Sequence, residues 1–378
     1  MKNSKKTLKL GFVGGSYQSA VGYAHFVAAR MDNLWQIHAG AFSRNEEENR
    51  KTGQEYGVTE KHLYKTLSEM LKSEKDNLDA VVLLTPTPLH YSMILECARQ
   101  NMPVISEKAL CETSEQAKAI KIALDKSNAY LSVVYNYSGY PMLRESRKLV
   151  QNGDIGDVIH FQAEMPQEGF LRTDKFGKRP KPQDWRVNDG HIPTLHLDLA
   201  VHLHELIYYI TGLSPIEVIA DQSSYGFFDV IDNTTCLTRY TNNVQGQFWF
   251  SKAAIGQRNG LKLRIYGTKG SIEWLQENPE ELSVSYSDGR KTTIDRASNV
   301  QVADARRYTR FKAGHPAGFN EALANLYVDF HQSIIDYQNN ITYDSGEVFG
   351  VDLALEGMLW LEALQKSMTS RKWEKINE

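Results

Sequence analysis

Cysteine is scarce. The 378 residues hold three, Cys97, Cys111 and Cys236, scattered and without a C-x-x-C pair. An odd, low count argues against a disulfide framework and against a cysteine zinc site, and it suits a reducing, cytoplasmic setting. Long apolar runs are missing too. No stretch of 18 or more apolar residues occurs, so no membrane span is expected. The start, MKNSKKTLKLGFVGG, is basic but has no apolar stretch of signal-peptide length. Charge of one sign is also lacking: 43 Lys and Arg against 46 Asp and Glu leave a formal net charge of -3. No strong field therefore draws nucleic acid or an anionic membrane. There is no internal repeat and no low-complexity segment.

What is present is a regular alternation over the first 135 residues. Short apolar runs at 8–13, 35–42, 79–85, 102–106 and 129–135 are separated by helical spacing at 22–31, 45–56, 90–99 and 113–125. DAVVLLT at 79–85 is continuously apolar, as in a strand buried on both faces. Strand and helix in turn, with short links, predict a doubly wound parallel sheet. After Tyr135 the pattern changes. A helix is expected at 141–151. Strands then follow at 157–165, 216–224, 234–242, 244–252, 261–267, 270–275 and 281–287, several alternating apolar with polar as in an antiparallel sheet. Two long amphipathic helices fill 317–367. The expected fold class is an α/β N-terminal Rossmann domain, residues 1–135, plus an α+β C-terminal domain, residues 136–378, with a large, mostly antiparallel sheet.

The first strand runs into GGSYQSAVGYAH at 14–25. Glycines there let main-chain N–H groups approach a pyrophosphate at a helix N-terminus. Gly14, Gly15 and Ser16 are the expected contacts, although the spacing is not G-x-G-x-x-G. The second strand ends in AFSRN, with no acid until Glu46. Ser43 and Arg44 would accept a 2′-phosphate that a carboxylate would repel, so NAD(P) is expected with a lean to NADP. Two later strands end in TPTPLH (85–90) and SEKAL (106–110). Their carboxyl ends put Thr85, Pro86, Thr87, His90, Glu107 and Lys108 where open parallel sheets bind ligands. Tyr135 and Asn136, ending the last strand of this domain, are expected on the nicotinamide side.

Taken together and in this order, GGSYQSAVGYAH, TPTPLH, SEKAL, NGDIGDV, DWR, DLAVH and GTKGSIEW resemble the Gfo/Idh/MocA family of NAD(P)-dependent sugar and polyol oxidoreductases. The resemblance covers nearly the whole chain. It implies a catalytic constellation of an E-K-P lysine and a D-x-x-x-H pair, which falls on Lys108, Asp198 and His202. Three departures stand out. Ala109 replaces the proline, the glycine loop carries extra residues, and HIPTLHL replaces a glycine-rich lead-in, so His191 and His196 are additions that bear on substrate choice.

Asp198 and His202 are four apart, which on an α-helix shares one face. The carboxylate then orients the imidazole, His202 serves as general base, and Lys108 hydrogen-bonds the substrate oxygen. His204 points elsewhere and reads as structural. H-x-D-x-x-x-H-x-H has the residue types of a metal site, but its histidines do not share one helical face, and no metal is expected. The basic stretch 165–194, with Arg172, Lys175, Lys178, Arg179, Lys181 and Arg186, reads as a lid or as a solvated loop. Trp185 is expected to stack on a sugar face or on nicotinamide, with Arg186 beside the cofactor and His315 reaching the substrate from a second basic loop. The functional expectation is hydride transfer to or from a secondary alcohol of a sugar, polyol or sugar derivative, in a homodimer or homotetramer built through the open sheet face. NAD-assisted bond cleavage and a non-catalytic sensing regulator are the alternatives.

Overall fold

A computed structural model describes residues 6–179, 181–343 and 345–376. The chain begins β1 (Leu8–Gly14), α1 (Ala20–Arg30), β2 (Trp35–Ala41), α2 (Glu46–Tyr56), α3 (Leu67–Glu74), β3 (Ala80–Leu84), α4 (His90–Arg99), β4 (Val104–Glu107), α5 (Ser114–Ser127) and β5 (Leu131–Val134). The five strands form one parallel sheet in the order β2-β1-β3-β4-β5. Ala80, Val81, Val82 and Leu83 on the central β3 are fully buried, which explains their unbroken apolar run. The expected alternation is present. It missed α3, LSEMLKSE, whose eight residues are too few to show a helical period.

Next come α6 (Pro141–Gln151), β6 (Val158–Pro166), α7 (Val201–Thr211), β7 (Pro215–Ser223), β8 (Asn233–Tyr240), β9 (Gln245–Ser251), β10 (Lys262–Gly267), β11 (Gly270–Leu275), β12 (Leu282–Tyr286) and β13 (Lys291–Ile294). The chain closes with α8 (Phe319–Gln338), α9 (Val351–Ser370) and β14 (Glu374–Lys375). The second sheet has nine strands in the order β13-β12-β11-β10-β6-β9-β8-β7-β14. Its pairs are antiparallel except β6 with β9. This is the expected large, mostly antiparallel sheet. The edge strands β13 and β14 are additions to the sequence reading, too short to carry a period.

The chain divides into two compact units. One comprises residues 1–111, 115–139 and 319–354, and the other 112–114, 140–318 and 355–378. The first takes in α8, which the sequence had grouped with the second domain. Leu323, Leu326, Tyr327, Phe330 and Ile334 of α8 share one core with Leu8, Leu10 and Phe12 of β1. His25 of α1 is tied to the same helix, its Nδ1 2.8 Å from the Tyr327 hydroxyl.

Candidate active site

The glycine loop is built as a close-approach turn. Gly14 and Gly15 have φ of +77° and +69°, where a side chain is strained. A Cβ on Gly14 would lie 2.9 Å from the Leu84 main chain, and one on Gly22 would collide with the Gly15 carbonyl. Ser19 caps α1 by accepting from Gly22 N at 3.1 Å. Small residues thus let the N-terminus of α1 meet the end of β1, the arrangement that leaves main-chain donors for an anion. At the start of the segment after β5, Asn136 is buried, and its Nδ2 has no hydrogen-bond partner among the described residues. A buried orphan donor calls for a ligand group. These features fit a dinucleotide.

An acid that the sequence reading passed over belongs to this region. Glu48, in the first turn of α2, accepts from Ser16 Oγ at 2.5 Å and from Ser43 Oγ at 2.7 Å. Both serines expected at the cofactor therefore converge on one carboxylate, while Arg44 is exposed. A carboxylate beside Ser43 opposes a 2′-phosphate, so this geometry lends the NADP preference no support. Its signal was available: a turn through Asn45, whose side chain caps Glu48 N at 2.9 Å, carries the acid back toward the strand end.

Lys108 follows directly on β4, and the Lys108–Ala109 peptide is cis. Its neighbour Glu107 is 2.9 Å from His25 Nε2. Thr85 and Pro86 follow β3, and Thr87 is buried in a short 3-10 turn. His90 was expected to contact the cofactor. Instead it is fully buried, with Nδ1 2.9 Å from Ala109 O and Nε2 2.7 Å from Thr85 O. Desolvation holds it below the usual imidazole pKa, partly offset by those two carbonyls. Its place is to tie the end of β3 to the chain just after Lys108.

In the second unit, the opening of the D-x-x-x-H segment is not regular α-helix. His196–Ala200 forms a π turn that leads into α7, so 3.6-residue spacing does not describe the relation of Asp198 to His202. π turns inside helices recur at functional sites. Asp198 and His202 are both buried. Asp198 Oδ2 accepts from Lys252 Nζ at 2.6 Å and from Arg186 Nη1. Arg186, expected beside the cofactor, thus has this carboxylate as a partner. Lys252 was not foreseen at all. It is 4% exposed, and its ammonium lies 5.0 Å from the centre of the Phe170 ring. A lysine so buried is held by its charge partner and the ring face.

The other expected residues are distributed as follows. Trp185 is half-buried, with Arg186 stacked 4.4 Å from its ring centre and its Nε1 donating to Gln183 at 2.9 Å. Tyr135 is buried at the end of β5. His315 is exposed; its carbonyl accepts from Arg296 and its ring meets Phe311 edge-on. His196 is fully buried, 3.0 Å from Thr234 Oγ1 and edge-on to Phe250, so its part is in the core and not in substrate choice. His204 is structural as expected, buried 3.1 Å from Glu356. In the basic stretch, Arg172 pairs with Glu168 and Arg179 stacks on Phe227.

A parallel α/β unit with a glycine cradle, followed by a unit with a large antiparallel sheet and a buried Asp-His segment, is the architecture of a dinucleotide-binding protein with a second domain. Residues 8–135 match the oxidoreductase family, NAD-binding Rossmann fold, and residues 143–273 match the GFO/IDH/MocA C-terminal domain. The chain belongs to the Gfo/Idh/MocA family. It is 30% identical to the uncharacterized oxidoreductase YfiI of Bacillus subtilis (strain 168), over 96% of this chain and 95% of that one. It is 25% identical to the myo-inositol 2-dehydrogenase of Thermotoga maritima, over 65% of this chain and 69% of that one. The fold is shared with an inositol dehydrogenase homolog from Azotobacter vinelandii, solved with NADH and myo-inositol (TM-score 0.87, 23% identity, 98% of each chain). No helix among the described residues is long and apolar enough to cross a membrane.

Proposed function

We propose that the chain oxidises a secondary alcohol of an uncharged polyol or pyranose, or reduces the matching ketone, with Lys108, Asp198 and His202 as its catalytic residues. The observation that carries this reading is the Asp198 carboxylate, buried in a π turn and gripped by Lys252 and Arg186. A desolvated carboxylate under two cations is costly to build and is a mark of a working site. His202 accepts the hydroxyl proton as the C–H bond breaks. Lys108 donates a hydrogen bond to the same oxygen and stabilises its developing charge. Asp198 orients the reacting hydroxyl or the imidazole. Nicotinamide, when bound, supplies the hydride acceptor.

An uncharged substrate is favoured because the arginines of the 165–194 stretch have local uses: Arg172 on Glu168, Arg179 on Phe227 and Arg186 on Asp198. The dehydrogenase relative that acts on myo-inositol agrees with this class. For the cofactor, Arg44 speaks for a 2′-phosphate and Glu48 against it. We read the carboxylate as stronger, because it is fixed by two hydroxyls while Arg44 is exposed, and propose NAD in place of the NADP lean. A soluble cytoplasmic homodimer or homotetramer completes the reading.

The test is a steady-state assay of inositols, aldopyranoses and their acids with each cofactor, read by nicotinamide absorbance. Net reduction of NAD by an uncharged polyol or pyranose is the expected result. Turnover confined to sugar acids would overturn the uncharged class. Cofactor binding with no turnover of any alcohol would favour a sensor, and product formation without net cofactor change would favour bond cleavage.

A further inference from the structure

Away from the glycine loop, one group of side chains in the first unit has a composition that the oxidoreductase chemistry does not use. His38 lies on β2, the outermost strand of the parallel sheet. His62 ends a short 3-10 turn (Glu60–His62), and Glu74 ends α3. One ligand atom from each, two imidazole nitrogens and a carboxylate oxygen, lies within 4.8 Å of the other two. Glu74 is 2% exposed, whereas the two histidines are half-buried. The group thus has a dry side and a side open to water.

We infer that His38, His62 and Glu74 form a binding site for a divalent transition-metal ion, with zinc as its occupant. A tetrahedral ion with bonds of ~2.0–2.1 Å spaces its ligand atoms roughly 3.3 Å apart. His38 Nε2 is already 3.3 Å from Glu74 Oε2, and His62 Nδ1 contacts Glu74 Oε1. The two imidazole rings are 4.3 Å apart, centre to centre, inclined at 46°. The two imidazoles thus present one nitrogen to each oxygen of a single carboxylate.

The carboxylate is itself aimed by outer partners. Tyr64 Oη donates to Oε1 at 2.7 Å and Asn77 Nδ2 to Oε2 at 3.1 Å. Such supporting hydrogen bonds orient metal ligands and raise affinity. The histidine-bearing segments are also locked by main chain: Tyr64 N donates to Gly40 O at 2.9 Å, and Leu63 bridges Gly40 in parallel. The ligands thus come from three separate segments on a prebuilt frame.

Two imidazoles with one carboxylate suit zinc and its neighbours cobalt and nickel, and are poor for magnesium or calcium, which take oxygen ligands. Three protein ligands leave the fourth position to water on the open side. The ion would clamp the edge strand to the 60–64 turn and to α3, a structural task separate from the alcohol chemistry and independent of the function proposed above.

The experiment uses the full chain without a histidine tag, stripped by chelator and titrated calorimetrically with Zn2+, then with Mg2+. One equivalent of Zn2+ should bind, Mg2+ should not compete, and His38→Ala and His62→Ala should each weaken binding by at least about tenfold. X-ray absorption of the zinc-loaded wild-type chain should show two imidazoles with oxygen at ~2.0–2.1 Å. That second measurement decides the matter if either variant fails to fold. No saturable Zn2+ binding, equal affinity in both folded variants, or sulfur among the ligands would overturn the site, leaving a hydrogen-bonded cluster only.

Discussion

Replacing Lys252 by methionine keeps the aliphatic stem and deletes one charge. Lys252 and Asp198 have side chains only 5% and 11% exposed, so both ions are desolvated. Removing one partner of a buried pair costs ~3–5 kcal/mol, because the other charge stays buried. Asp198 keeps Arg186, whose side chain is 30% exposed, and this retained partner puts Lys252→Met near the lower limit, about 3 kcal/mol. Adding Asp198→Asn removes the buried negative charge. The double variant should then be more stable than the sum of the singles predicts, by on the order of 2 kcal/mol. Urea unfolding followed by tryptophan fluorescence measures all four chains of the cycle. Turnover adds an independent readout. If Lys252 positions Asp198, kcat should fall by roughly 100-fold, as for a displacement of about 1 Å at a reacting group, with little change in dinucleotide affinity. A stability loss under about 1 kcal/mol, together with coupling under about 0.5 kcal/mol, would show that Lys252 and Asp198 are not a buried, coupled pair.

Two further expectations follow from buried or paired groups. Glu48→Gln removes the carboxylate at Ser16 and Ser43; the ratio of kcat/KM for NADP to that for NAD should rise by about tenfold or more, and an unchanged ratio would show that Glu48 does not face the ribose. Burial lowers the pKa of His196 from 6.5 to about 3. The unfolded chain takes up that proton below pH 6.5 while the folded chain does not, so this group's contribution is complete above pH 6.5 and is lost as pH falls toward 3. The slope approaches ~1.4 kcal/mol per pH unit, and His196→Gln, compared with wild type by unfolding at pH 7 and pH 5, should flatten it.

Features set by neighbours in sequence were legible. Strand, glycine loop and helix follow one another along the chain, so the dinucleotide cradle could be read directly, as could the alternating strands of the second sheet. Features set by tertiary return were not. Glu48 was hidden because it lies well past the strand end, and only the first turn of α2 brings it back to Ser43. Lys252 lies 54 residues from Asp198, yet a signal existed. Gly246, Phe248 and Phe250 form the buried row of β9, and Lys252 continues that row by the two-residue period. A lysine in an inward register is a flag for a buried charge partner. The π turn is invisible to a 3.6-residue wheel, so the shared face assigned to Asp198 and His202 rested on a geometry the chain does not adopt. The partner of α8 was unreadable for a different reason: its apolar face fits any core, and only the fold selects β1.

In the proposed mechanism Lys108 and His202 perform chemistry and do not merely hold the cofactor. The most direct test compares wild type with Lys108→Ala and His202→Ala. Each is mixed in excess over NAD with a polyol or pyranose that wild type oxidises, and NADH formation is followed through a single turnover, beside calorimetric titration with NADH. NADH formation should fall by at least about 100-fold in both variants while the NADH affinity stays within a few-fold of wild type. Unchanged single-turnover rates, or loss of NADH binding in step with the rate, would contradict it.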